Sequence, residues 1–159
     1  HSFTPRGVSV RNGVRLSLDV GKARVGVARC DPGGMMAFPV ETVPRERALE
    51  RIAEIVEEYE PIEVVIGNPV NLRNEQTAST LDSQEFAQDM LTRVSVPLRL
   101  VDERMTTSAA LGALRDSGRN AKNSRGVVDQ VAAVILLQTC LDAERGGRIL
   151  GELVEANRD

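Results

Sequence analysis

Apolar positions follow two periods along the chain. Val14 to Val20 (VRLSLDV) and Arg24 to Cys30 (RVGVARC) alternate apolar with small or polar residues, which predicts two strands joined at Gly21 as a hairpin. A turn at Asp31-Pro32-Gly33-Gly34 follows, and Met35 to Val43 extends the meander. From Arg45 the period lengthens: Leu49, Ile52, Ile55, Val56 and Tyr59 recur at helical spacing, with glutamates on the other face, until Pro61 stops the helix. Strands and helices then alternate. The pattern predicts a strand over Ile62 to Gly67, a helix over Glu75 to Val94, a strand over Pro97 to Asp102, a helix over Thr106 to Ser117 ended by Gly118, and a last helix over Val127 to Glu144. A meander followed by alternating strands and helices predicts an α/β fold, a mixed sheet with helices on its faces.

No repeat or Pro/Gly-rich linker divides the 159 residues, of which 42% are hydrophobic, so one globular domain is expected. Its bounds are read as a flexible segment at 1–13, a domain at 14–145 and a C-terminal tail at 146–159. Every apolar stretch is broken before the roughly 18 residues a membrane span needs, and the basic N-terminal residues lack the apolar block of a signal peptide. A soluble, cytoplasmic protein is expected. Cys30 and Cys140 fit no metal-ligand spacing and lie in apolar segments; packed, reduced thiols are the common outcome there, and a redox-dependent bridge is the alternative.

The net charge of −3 hides an uneven distribution. Residues 1–30 set six basic side chains, Arg6, Arg11, Arg15, Lys22, Arg24 and Arg29, against Asp19 alone, a net +5. Residues 104–125 set Arg104, Arg115, Arg119, Lys122 and Arg125 against Asp116, a net +4, whereas 41–60 is −4. Basic stretches beside carboxylates suit a polyanion that must approach a metal site, although solvated arginines without a partner would look the same.

Three acids interrupt apolar segments. Asp19 sits where the first strand gives way to a turn; that turn needs no aspartate in the strand before it, although an Asx-type bond to nearby backbone would also account for one. Glu103 follows PLRLVD, at the carboxyl end of a strand, where open α/β sheets place their ligands. Asp102 beside it points the other way if the strand continues, and suits a helix cap. Asp129 is the charged exception in VVDQVAAVILLQTCL, although an acid in a first helical turn also gains from the helix dipole. One cause covers all three: carboxylates gathered as ligands. Their oxygens suit Mg²⁺ or Mn²⁺ and not zinc. Two such ions roughly 4 Å apart activate a water and stabilise the leaving oxygen of a phosphodiester. With His1 the single histidine, histidine-based triads, histidine metalloproteases and cysteine-histidine nucleophiles are excluded.

Four segments in this order, LSLDVGKARVGVA, VVIGNPVNL, VDERMTT and VDQVAAVILLQ, resemble the YqgF/RuvX family of the ribonuclease H-like superfamily, known as Holliday junction resolvases and pre-16S rRNA nucleases. The resemblance runs from about Val14 to Leu141. It implies a ribonuclease H-like mixed five-stranded sheet, an antiparallel meander of three strands plus parallel strands, flanked by helices. It also implies an acidic catalytic and metal-holding triad on Asp19, Glu103 and Asp129, the residues the apolar context selects. Substrate-facing positions then fall on Lys122, Arg104 and the loop Asn68-Pro69-Val70-Asn71, with Arg24 and Arg125 from the same basic stretches. The family's usual leucine is absent at Asn68, and Leu72-Arg73-Asn74 stands where a glycine is usual. Lys122 and Arg125 equally suit a solvated loop, and Thr106 or Thr107 suits a helix N-cap better than a catalytic hydroxyl. Aromatic residues, 3% of the chain, are too few for a base-stacking platform, so backbone or junction shape is the expected substrate feature.

These readings lead to an endonuclease dependent on a divalent metal, Mg²⁺ or Mn²⁺ as two ions, whose chemistry needs no histidine and which acts on pre-rRNA or four-way DNA junctions. A homodimer would suit paired incisions on a junction. A domain that binds nucleic acid without cutting, in ribosome assembly or transcription, is the alternative, against which the three retained acids argue. An ATPase of the actin and sugar-kinase type is a third reading, from Asp19-Val20-Gly21 and Arg24-Val25-Gly26, but such proteins close two domains on the nucleotide.

Overall fold

A computed structural model describes residues 11–69, 77–105 and 122–157, with the side chains of 122–129 outside that description. The helix expected over Thr106 to Ser117 lies outside the described residues, as do residues 1–10 of the segment expected to be flexible. The strands are β1 (Arg15–Val20), β2 (Arg24–Cys30), β3 (Ala37–Pro44), β4 (Glu63–Asn68), β5 (Leu98–Asp102) and β6 (Glu152–Leu153). The helices are α1 (Ala48–Tyr59), α2 (Ala78–Leu91) and α3 (Lys122–Arg145). All six strands form one sheet in the order β3-β2-β1-β4-β5-β6. β1, β2 and β3 are the antiparallel meander, and β4 and β5 run parallel to β1. The five expected strands are therefore present. β6, antiparallel to β5 at the sheet edge, is a sixth; two residues leave no period for a sequence pattern to register.

Alternation along each strand builds two different faces. Leu16, Leu18, Val25, Val27, Val64, Ile66 and Leu98 point to one side and pack with Ile52, Ile55 and Val56 of α1 and Phe86, Ala87 and Met90 of α2. On the other side Ala28 and Cys30 meet Ala133, Leu137 and Leu141 of α3, and Val65 and Val101 meet Leu136 and Leu150. The first face is a continuous apolar core. The second carries polar residues in register positions of β1, namely Arg15, Ser17 and Asp19, all buried.

Local chemistry sets the helix limits. α2 begins at Ala78, later than the expected Glu75, because Thr77 and Thr80 cap it reciprocally. It stops near Thr92, whose hydroxyl donates to the Asp89 carbonyl at 2.7 Å. α1 ends at Glu60, in the left-handed conformation with φ 47°, just before Pro61. α3 starts at Lys122, five residues earlier than the apolar pattern indicated, since its first turn carries no periodic apolar residue. Lys122 and Arg125 are thus on a helix, not in the loop considered for them. Among the described residues no helix is long and apolar enough to cross a membrane.

Candidate active site

Asp19 and Glu103 are carried by the carboxyl ends of parallel strands, on the sheet face that α3 covers. Asp19 is the fifth residue of β1 and is 3% exposed; Glu103 opens a short 3-10 turn directly after β5 and is 7% exposed. β4 lies between them. Leu18 pairs with Ile66, so continuing that register by one residue sets Gly67 beside Asp19, and Gly67 in turn pairs with Val101 of β5. Glu103 leans over Gly67 so closely that a Cβ built there would meet Glu103 Oε2 at 2.6 Å. The Glu103 carboxylate is therefore seated on the one strand that separates it from Asp19. On the other flank of Asp19 the register partner is Gly26. Glycine on both sides leaves the Asp19 carboxylate uncrowded by neighbouring strand side chains.

Helix α3 is fixed over this row by two hydrogen bonds. The Ser17 hydroxyl donates to the Ala133 carbonyl at 2.7 Å. Gln130 Nε2 donates to Thr42 Oγ1 at 2.9 Å, and Thr42 pairs with Gly26, itself the partner of Asp19. Asp129 precedes Gln130 and lies one helical turn before Ala133. The backbone that carries the third predicted acid thus crosses the row of the first. Its side chain is outside the described residues, and among those described no group of three His, Cys, Asp or Glu side chains is gathered tightly enough for a metal ion.

The remaining candidates fall in different places. Arg24 begins β2 and is half-buried, two residues from Gly26 and hence on the Asp19 side of the sheet. Arg104 follows Glu103 but is engaged by Asp102: its backbone N–H donates to Asp102 Oδ1 at 2.8 Å and its guanidinium to Oδ2 at 2.6 Å. That pairing holds the Asp102 carboxyl below its ordinary range. Asn68 pairs with Asp102, and alternation puts both on the face opposite Gly67; the Asn68 amide oxygen is buried without a hydrogen-bond partner among the described residues. Asn71 and Val70 lie outside the described residues, as do the side chains of Lys122 and Arg125.

Part of the positive charge of residues 1–30 is spent inside the fold. Glu144 of α3 accepts from Arg15 at 2.7 Å and from Arg11 at 2.8 Å; Glu63 accepts from Arg11 at 2.9 Å and from Arg99 at 2.6 Å. Arg15 is 2% exposed. Arg29 stacks over Phe38 and Tyr59, with centroid distances of 5.2 and 5.6 Å. Arg11, Arg15 and Arg29 are thus engaged within the fold, and among the described residues of that stretch Lys22 and Arg24 remain at the acidic end. Both cysteines are free. Burial, then the Glu63 charge, pushes the Cys140 thiol up to about 12, which keeps it unreactive at neutral pH.

Sequence reasoning missed the supports of the site: Gly67 under Glu103, and Ser17, Gln130 and Thr42, which hold α3 in place. Gly67 did leave a signal, since a glycine inside an apolar strand marks a close approach. The three hydroxyl and amide residues left none.

Residues 13–143 match the model of the RuvX family, described as Holliday junction resolvase. A protein of Clavibacter michiganensis subsp. michiganensis named "Putative pre-16S rRNA nuclease" is 49% identical over 154 residues, 94% of this chain and 96% of its own length. One of Streptomyces avermitilis with the same name is 49% identical over 153 residues, 93% of this chain and 98% of the relative. Among solved structures, Thermus thermophilus RuvC in complex with Holliday junction substrate aligns with a TM-score of 0.57 at 17% identity, over 87% of this chain and 99% of that one. That likeness gives the fold, which is ribonuclease H-like. With four-fifths of its length matched in sequence and its acids at the expected strand ends, the chain belongs to the RuvX family of Holliday junction resolvases.

Proposed function

We propose that the chain is a divalent-metal-dependent endonuclease that hydrolyses phosphodiester bonds in structured nucleic acid. Its substrates are the ends of pre-16S rRNA in ribosome biogenesis, four-way junctions in DNA recombination and repair, or both. The reading places the enzyme in the cytoplasm, and as a homodimer where a junction is cut on two strands. One observation carries it: the Glu103 carboxylate is seated on Gly67, beside the strand position of Asp19, and both acids are almost wholly buried. Two carboxylates in a buried place repel one another, and a cation relieves that cost.

The donor set fits a hard cation. Asp19 and Glu103, with Asp129 from α3, offer carboxylate oxygens and no nitrogen or sulfur, the chemistry of Mg²⁺ or Mn²⁺ sites. Bound there as a pair, such ions would supply Lewis-acid stabilisation of phosphoryl charge and lower the pKa of water. The protein's own part is placement. Gly67 and Gly26 keep neighbouring side chains away from Asp19, Gly67 sets the height of Glu103, and the Ser17 and Gln130 bonds fix the helix that carries Asp129. Arg24, Lys122, Arg125, Asn68 and Asn71 are assigned to the substrate backbone, together with Arg104 as far as Asp102 releases it.

The test is Asp19→Asn, assayed with Mg²⁺ on branched DNA and on precursor rRNA. Cleavage should fall to background on any substrate the unaltered chain cuts; undiminished cleavage would overturn the proposal. Equal binding with and without EDTA, and no metal-stimulated cutting of either substrate, would favour the non-cleaving binding module instead.

A further inference from the structure

Among the described residues, Arg45 holds the β1–β2 turn, which joins the strand of Asp19 to the strand of Arg24, from outside. Arg45 lies in the 3-10 turn after β3. Its backbone N–H donates to the Ala23 carbonyl at 2.9 Å, and its guanidinium donates to the Gly21 carbonyl at 2.9 Å. The turn also closes on itself, since the Gly21 N–H donates to the Arg24 carbonyl at 2.9 Å. Two of the three carbonyls between the strands are therefore fixed by Arg45.

Arg45 is itself braced. Both of its terminal nitrogens reach Asp82 of α2, each at 2.8 Å, in a fork that a lysine cannot reproduce. The guanidinium lies over the ring of Phe86, 5.1 Å from the centroid, and Phe86 is part of the main core. The Asp82 pair is partly exposed, so its own contribution to stability is small. What the arrangement provides is geometry, because it ties the turn to a helix anchored in the core.

We propose that Arg45 is a positioning residue for cleavage: braced by Asp82 and Phe86, it sets the turn whose ends carry Asp19 and Arg24, and thereby the placement of the acid. This deepens the endonuclease reading and rests on it. Small misplacements suffice, since a shift of about 1 Å costs about a hundredfold in rate.

The test uses Arg45→Gln and Asp82→Asn in the full chain, with Mg²⁺-dependent cleavage kinetics and amide hydrogen exchange. In Arg45→Gln, kcat should fall about 10- to 100-fold with KM within about twofold of the unaltered chain. Exchange of the Gly21 amide should quicken by about tenfold or more. Asp82→Asn keeps the Gly21 bond and loosens the brace, so the same changes should appear in smaller measure; it carries the test if Arg45→Gln does not fold. An unchanged kcat, a rise in KM alone, or unchanged Gly21 exchange would overturn the proposal. Asp19→Asn separates the two levels: if that variant cleaves normally the endonuclease reading fails, whatever Gly21 exchange shows of the clamp.

Discussion

Replacing Gly67 with alanine is the sharpest perturbation of the acid pair, because it adds one methyl group and removes no charge. The new Cβ would lie 2.6 Å from Glu103 Oε2, 3.1 Å from Cγ and 3.2 Å from Cδ. Ordinary contact starts near 3.4 Å, so the carboxylate has to retreat by about 0.8 Å. Gly67 sits in regular strand and not in the left-handed region, so alanine meets no backbone strain. It also reduces the freedom of the unfolded chain, worth about 0.4–1 kcal/mol in favour of folding. The atom in the way is the end of a flexible side chain, so the fold yields easily and the placement of Glu103 does not survive. Melting temperature should stay within about 4 °C of the unaltered chain, while kcat for Mg²⁺-dependent cleavage falls by about a hundredfold. The loss should vanish in the background of Glu103→Gln, where the carboxylate no longer matters. Cleavage within about twofold of normal, from a protein with unchanged stability, would refute the idea that Gly67 sets Glu103 for the reaction.

Other outcomes follow from the same geometry. Ser17→Ala removes the buried bond to Ala133 and should cost roughly 1 kcal/mol, read as a drop of about 2–4 °C in melting temperature. Glu144→Ala leaves Arg15 buried without its carboxylate and should cost about 3–5 kcal/mol in denaturant unfolding. For Glu144, burial works against the charge, but hydrogen bonds from Arg11 outweigh it, so its carboxyl titrates below the ordinary value. A depressed folded pKa gives stability that is complete above about pH 4.3 and is lost as pH falls through the folded value, so the gap between the unaltered chain and Glu144→Gln should close on acidification. In EDTA, Asp19→Asn should melt at or above the temperature of the unaltered chain, because one of two buried like charges is gone; a large loss would make Asp19 a structural residue.

Legibility in the sequence followed periodicity. β1 and β2 were visible as alternation, β4 as a short apolar run and α1 as helical spacing, because burial imposes these patterns. β6 was invisible at two residues. The true start of α3 was hidden because Lys122, Asn123, Ser124 and Arg125 carry no apolar period. Asp19 and Glu103 stood out as charges where apolar residues were expected, and they do share one end of one sheet face. The supports were less legible for a physical reason: the Arg45 fork, the Ser17 bond and the Gln130 bond are made between residues 24 to 116 positions apart, so no local pattern records them. The pairing of Arg11 and Arg15 was hidden for the same reason, since Glu63 and Glu144 arrive from elsewhere in the chain.

The central claim is that Asp19, Glu103 and Asp129 together hold a divalent cation. It is tested most directly by Mn²⁺ binding, followed by paramagnetic resonance or calorimetry, in the unaltered chain and in Asp19→Asn, Glu103→Gln and Asp129→Asn. The account predicts saturable binding that weakens at least about tenfold in each of the three variants. Binding by Asp129→Asn equal to that of the unaltered chain would remove the third acid from the site and contradict the account.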